Sequence, residues 1–296
     1  MIIMKETRMN ESCSRRFREI LNKREAALLP GAANALTARI IEDIGFKAIY
    51  VTGAGVTNTF LGMPDIGLIS LTELASHVSA MREVVSLPLV VDADTGFGNP
   101  LNVARTIRIL ERSGANAIQL EDQEFPKRCG HFSGKSVIDP TEMVQKIHAA
   151  VDARIDHDLV IIARTDAIAT NGFEDAMDRA AAYIEAGADM TFVEAPRTKE
   201  QIAEIPKRLL APQLINIVAG GLTPMTGLSE LGAMGFSMIL YANAALQASI
   251  AGMQKVLNHL KEHGSLDDVS EQLADFEERQ RLVCKSRFDA LEKKYS

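Results

Sequence analysis

One module recurs along this chain and limits what it can fold into. The segments IEDIGFKAIYV (41–51), LERSGANAIQL (110–120), IEAGADMTFV (184–193) and LGAMGFSMIL (231–240) share an order: a helix end, a glycine, then a short apolar run. The glycines Gly45, Gly114, Gly187 and Gly235 are placed to close a helix in the left-handed conformation. The runs that follow have the length and unbroken hydrophobicity of strands buried on both faces. Such strands belong to a parallel sheet covered by helices.

Four further runs complete the set: ALLPG (27–31), LPLVVD (87–92), LVIIAR (159–164) and QLINIV (213–218). Helices start cleanly between them. Ser-Leu-Thr-Glu at 70–73 reads as a capping box, and Asn99-Pro100 and Asp139-Pro140 put a cap before a first-turn proline. Glu142 stands where it would close a second box. Eight alternating strand–helix units over about 250 residues predict a closed α/β barrel, the (β/α)8 or TIM fold. An open doubly wound sheet is the competing architecture, but no Gly-x-Gly-x-x-Gly follows the first strand. The expectation is a single domain over 1–296, with the barrel at about 25–262 and a helical extension over 243–296. A barrel needs one helix after its last strand. The surplus packs either on a partner subunit or on its own barrel.

With 47% hydrophobic and 24% charged residues, the 296-residue chain has material for a large core. A net charge of −7 gives no basic footprint for nucleic acid. No stretch reads as a membrane span, and the first residues lack the apolar core of a signal peptide. The three cysteines, Cys13, Cys129 and Cys284, are odd in number and far apart, which fits a reducing, cytoplasmic setting.

In such barrels chemistry gathers at the C-terminal ends of the strands. The polar residues there are Tyr50 and Thr52, Asp92 and Asp94, Glu121 and Asp122, Arg164 and Asp166, Glu194, Asn216, and Tyr241 with Asn243. All are expected to face one mouth. Crowded carboxylates repel one another, and a hard divalent cation such as Mg2+ removes the conflict. Arg164 can take a substrate carboxylate with its planar fork, or it can pair with Glu121 or Glu194. Thr52-Gly53-Ala54-Gly55 can add main-chain donors. Residues 123–139 form a long connection after the fourth strand, with Gly130 and Gly134 as hinges. Lys127, Arg128 and His131 there would lower the pKa of Cys129 and draw the loop onto an anion.

The signature Lys127-Arg128-Cys129-Gly130-His131 after Glu121-Asp122, with DADTGFGNPLNV and Gly53-Ala54-Gly55 upstream, resembles the isocitrate lyase and phosphoenolpyruvate mutase superfamily. It is similar to the carbon–carbon lyase branch, the mutase branch lacking the cysteine motif. The resemblance covers about residues 15–262. It implies a barrel whose eighth helix is swapped between subunits, in a homotetramer built as a dimer of dimers. It implies Mg2+, with Mn2+ as an alternative, at Asp94, with Asp65, Asp92 and Glu121 reaching the ion mainly through water. Thr52, Gly53, Ala54 and Arg164 match residues that hold the 2-oxo acid fragment, and Glu194 and Asn216 match pocket residues. Tyr50 matches a tyrosine near the reacting hydroxyl, and Cys129 the acid that protonates the carbanion. Lys127, Arg128 and His131 would stabilise the developing charge. Asn216-Ile-Val-Ala-Gly-Gly-Leu-Thr-Pro is closer to relatives acting on small dicarboxylates than to methylisocitrate lyases, although Ala219 replaces their usual glutamate. The implied substrate is a substituted malate, 2,3-dimethylmalate first, giving pyruvate and propanoate. Methylisocitrate cleavage, and oxaloacetate hydrolysis or decarboxylation, are the alternatives, and a barrel that binds without catalysis is the remaining one.

Overall fold

The computed structural model describes residues 13–23, 25–128, 130 and 134–296. Eight parallel strands close into a barrel in chain order, with β1 hydrogen-bonded to both β2 and β8. They are β1 (Ala27–Ala32), β2 (Ile49–Val51), β3 (Leu89–Asp92), β4 (Ala117–Glu121), β5 (Val160–Thr165), β6 (Met190–Val193), β7 (Gln213–Asn216) and β8 (Met238–Tyr241). The expected (β/α)8 architecture holds, and the open sheet is excluded.

Strand alternation divides the core. Leu29, Tyr50, Val90, Ile162, Phe192 and Leu240 point inward, and helix α1 (Cys13–Asn22) plugs the barrel floor with Phe17 and Leu21. The outward residues pack under the surrounding helices, as Val91 and Ile118 do under α4 (Leu71–Val84) and α5 (Pro100–Arg112). The four module glycines take positive φ, from 96° to 106°. Ser70 and Glu73 form the expected capping box at α4, and Asn99 caps α5 ahead of Pro100. Asp139 caps α6 (Pro140–Ala153) through Thr141 N, but Glu142 closes no second box: its carboxylate turns to Lys146 at 3.7 Å.

The remaining helices are α2 (Ala35–Ile44), α3 (Gly53–Leu61), α7 (Phe173–Glu185), α8 (Lys199–Arg208), α9 (Leu228–Met234), α10 (Ala244–His263), α11 (Phe276–Leu282) and α12 (Lys285–Tyr295). α10 occupies the place of the eighth barrel helix in sequence yet has no buried residue. Ile250, Met253, Leu257 and Leu260 are exposed along it. After α10 the chain returns to its own barrel, where Arg281 pairs with Asp43 and Arg39 donates to Cys284 Sγ. The surplus is therefore split: the tail pairs with α2 of its own barrel, while α10 meets β1 but buries none of its residues. No helix among the described residues is long and apolar enough to cross a membrane.

Candidate active site at the barrel mouth

The C-terminal strand ends surround a cavity lined by Tyr50, Thr52, Ala54, Asp65, Asp92, Lys127, Arg128, Arg164, Glu194 and Asn216, together with Gly130, Phe192, Leu240, Ala242 and Asn243. Its enclosed room is about 30 Å³. Cys129 and His131 lie outside the described residues, but their neighbours Arg128 and Gly130 are part of the wall.

Two of the strand-end residues do not face the mouth. Asp122 turns outward: its carboxylate accepts from Thr165 Oγ1 (2.7 Å), Tyr183 OH (2.8 Å) and Asp166 N (2.9 Å). Tyr241 packs outside the barrel with the α7–α9 cluster. Each follows an inward residue, Glu121 and Leu240, so strand alternation sends it to the other face.

Thr52-Gly53-Ala54-Gly55, read from sequence as a source of main-chain donors, is the start of α3. Thr52 caps that helix, its hydroxyl accepting from Gly55 N at 3.2 Å. The first-turn amides of Gly53 and Ala54 have no helical carbonyl behind them and form a donor pair at the cavity. A Cβ on Gly53 would stand 3.3 Å from both Asp92 Oδ2 and Asp94 Oδ1, so both oxygens converge on this helix start. Asp94 (φ 47°) and Ala195 (φ 56°), the latter next to Glu194, hold left-handed backbone conformations.

Acids outnumber bases here. Asp65, Asp92, Asp94, Glu121, Asp166 and Glu194 face Lys127, Arg128, Lys135 and Arg164. Lys127 spans Asp65 Oδ1 (2.6 Å) and Asp94 Oδ1 (2.8 Å). Burial opposes its charge, but Asp94, Glu121 and Asp65 outweigh that and hold the ammonium well above its usual range. Burial pushes the Asp94 carboxyl up to about 6, Lys127 opposing and Asp92 and Asp65 reinforcing the rise. Glu121 is also pushed up by burial, and its Oε1 has no hydrogen-bond partner among the described residues. Asp92 Oδ1 accepts from Gln119 Nε2 (3.1 Å) and Asp94 N (3.2 Å), leaving Oδ2 toward Gly53.

This all-oxygen set, with an orphaned carboxylate oxygen and protonation favoured for want of positive charge, suits a hard divalent cation. Among the described residues no three acids are already drawn together as a chelating group.

Arg164 has less freedom than the sequence allows. Its Nε donates to Asp166 Oδ2 (2.8 Å) and its Nη2 to Asp166 Oδ1 (3.0 Å), so one edge of the fork is taken. Glu121 and Glu194 stand at 3.4 and 3.7 Å, and the guanidinium lies 5.1 Å from the Phe192 ring centre. The Nη1 end is the one that faces Glu121, so a ligand carboxylate would share it with that acid. Burial opposes ionisation of Asp166, but Arg164 and Lys135 prevail and hold it at about 2. Burial, then Asp92, raises Tyr50 well above its usual value, so its hydroxyl stays protonated and donates to Gln119 Oε1 at 2.9 Å. Asn216 Oδ1 lacks a partner among the described residues. Ala219 is exposed and off the cavity wall.

Comparison with known proteins agrees with this geometry. Residues 17–261 match the family model described as phosphoenolpyruvate phosphomutase. The chain is 39% identical to the 2,3-dimethylmalate lyase of Eubacterium barkeri, over 95% of this chain and 97% of that one. It is 44% identical to the 2-methylisocitrate lyase of Aeropyrum pernix, over 87% and 82% respectively. The fold matches a structure of oxaloacetate acetylhydrolase in complex with the inhibitor 3,3-difluorooxalacetate, with a TM-score of 0.91, 34% identity and coverage of 96% and 98%. A solved 2,3-dimethylmalate lyase, described as a PEP mutase/isocitrate lyase superfamily member, matches with a TM-score of 0.90 at 34% identity, over 96% and 95%. By sequence, fold and the composition of its barrel mouth, the chain belongs to the phosphoenolpyruvate mutase/isocitrate lyase superfamily and is similar to its carbon–carbon lyases.

Proposed function

We propose that this chain is a magnesium-dependent lyase that cleaves the C2–C3 bond of a substituted malate, 2,3-dimethylmalate first, to pyruvate and propanoate. The observation that carries the reading is the convergence of the α3 amides, the Glu121-facing end of Arg164 and the Asp94 acids beneath one cationic loop. Asp94, with Asp65, Asp92 and Glu121 around it, would hold Mg2+, or Mn2+ in its place. The ion would supply Lewis acidity that lowers the pKa of the substrate 2-hydroxyl.

The chain's own residues do the rest. Thr52, the amides of Gly53 and Ala54, and Arg164 hold the 2-oxo acid end. Asn216 and Glu194 form the pocket wall, and protonated Tyr50, donating to Gln119, places its phenol oxygen beside the reacting hydroxyl. Loss of the hydroxyl proton and cleavage of C2–C3 leave pyruvate and the enediolate of propanoate. Lys127, Arg128 and His131 offset the enediolate charge, and Cys129 delivers a proton to its carbon. Closure of the loop keeps water from the intermediate.

The cavity cations favour a dicarboxylate. Lys127 and Arg164 already answer Asp65, Asp94 and Asp166, so a third substrate carboxylate would lack a partner of its own. Methylisocitrate cleavage is the second reading, supported by the Aeropyrum relative, and oxaloacetate hydrolysis by the acetylhydrolase fold match. The bare apolar face of α10 supports a helix-swapped dimer and a tetramer of two such pairs. Cys13 and Cys284 form no disulfide among the described residues, which supports a reducing, cytoplasmic setting. A pyruvate-coupled assay over 2-methylmalate, 2,3-dimethylmalate, methylisocitrate, isocitrate and oxaloacetate, with and without EDTA, tests the reading. Metal-dependent release of pyruvate from a dimethylmalate isomer supports it. Turnover of methylisocitrate alone replaces it, and no turnover with any of the five favours the binding-only barrel.

A further inference from the structure

Lys135 lies beyond the Lys-Arg-Cys-Gly-His signature, and the mechanism above gives it no task. Its side chain is 1% exposed, a costly position for an ammonium unless its partners are well placed. Nζ donates to the Gly130 carbonyl at 2.5 Å and to Asp166 Oδ1 at 2.8 Å. The same Asp166 carboxylate takes the Nε and Nη2 edge of Arg164. Asp166 is itself fixed from behind, its backbone N–H donating to the outward-facing Asp122. On the near side of the loop, Gln123 clamps the Arg128 backbone twice, donating to its carbonyl at 2.8 Å and accepting from its N–H at 2.9 Å.

We infer that Lys135 is a positioning residue: it ties the loop carbonyl at Gly130 to strand β5 through Asp166 and thereby couples the placement of the loop to the orientation of Arg164. One ammonium joins the lid to the group that grips the substrate. An ordinary stabilising ion pair would bond Asp166 alone. The bond to a loop carbonyl, made from a side chain five residues further on, fixes where the loop comes down. The kinetic part of the inference rests on the lyase reading, and the structural part does not.

The test compares Lys135→Met and Lys135→Arg with the native full-length protein. Arg164 continues to pair with Asp166 in both variants. Trypsin cleavage after Lys127 and Arg128, followed by mass spectrometry, reads the loop. Losing a hydrogen bond from a charged donor should speed this cleavage about tenfold or more in Lys135→Met, with Tm nearly unchanged. On whichever panel substrate is turned over, kcat/KM should fall by a similar factor, and Lys135→Arg should recover most of both effects. Native cleavage rates at 127–128 in Lys135→Met would overturn the inference. So would a fall in Tm that accounts for the lost activity, with cleavage spread over the whole chain. If no substrate is turned over, the lyase reading fails, and the cleavage pattern still decides the role of Lys135.

Discussion

Gly130 offers the sharpest test of how the loop meets the barrel. A Cβ built there would lie 2.5 Å from Arg164 Nη2 and 2.8 Å from both Cγ and Cδ of Glu194, where 3.4 Å or more is ordinary contact. The conflict at Gly130 is one of contact. Neither neighbour gives way easily, because Arg164 is held by Asp166 and both acids are buried. Gly130→Ala must therefore move the loop outward by about 1 Å or disturb the guanidinium, an overpacking cost of about 1–3 kcal/mol. Charged to the closed state alone, that reduces its population about 5- to 150-fold. Steady-state kinetics should show kcat/KM down by a factor in this range, while thermal unfolding stays close to native because an open loop relieves the clash. Native kcat/KM in Gly130→Ala would refute the close approach and the closed position of the loop with it.

Asp94→Asn should weaken Mg2+ binding measured by calorimetry at least tenfold, since the direct carboxylate is lost while Asp65, Asp92 and Glu121 remain; unchanged affinity would move the ion elsewhere. Tyr183→Phe removes a 2.8 Å hydrogen bond to buried Asp122 and should lower stability by about 1–3 kcal/mol in urea unfolding, with kcat per folded molecule retained. A large kcat loss without destabilisation would return Asp122 to the active site. Leu257 is 59% exposed on α10. Burying a leucine at an interface contributes about 1.5–3 kcal/mol, so Leu257→Glu should lower the assembled mass in light scattering; an unchanged mass at micromolar protein would rule out α10 as an assembly surface.

The fold was readable because a parallel barrel writes itself as unbroken apolar runs, each introduced by a glycine that ends a helix. The site was readable at the level of topology, since strand ends in such a barrel share one mouth. Two misplacements had a usable signal that went unused. Alternation along β4 sends Asp122 outward after inward Glu121, and along β8 it sends Tyr241 outward after Leu240. The same rule puts Arg164 and Asp166 on one side of their strand, which foreshadows the bond that occupies half the guanidinium. Other features were hidden. Gly53 and Gly55 disfavour a helix, so no local pattern announces the start of α3 that Thr52 caps. Lys127 on Asp65, and Lys135 on Gly130 and Asp166, depend on where a long connection folds back, which no local pattern specifies.

The most direct measurement is cleavage of 2,3-dimethylmalate in D2O, followed by NMR. The account predicts pyruvate and propanoate in equal amounts, one deuterium at C2 of propanoate, and loss of both products when EDTA removes the metal. Propanoate without deuterium would contradict protonation of a carbanion by an exchangeable acid. Equal turnover in EDTA would contradict the metal among the acids at the barrel mouth.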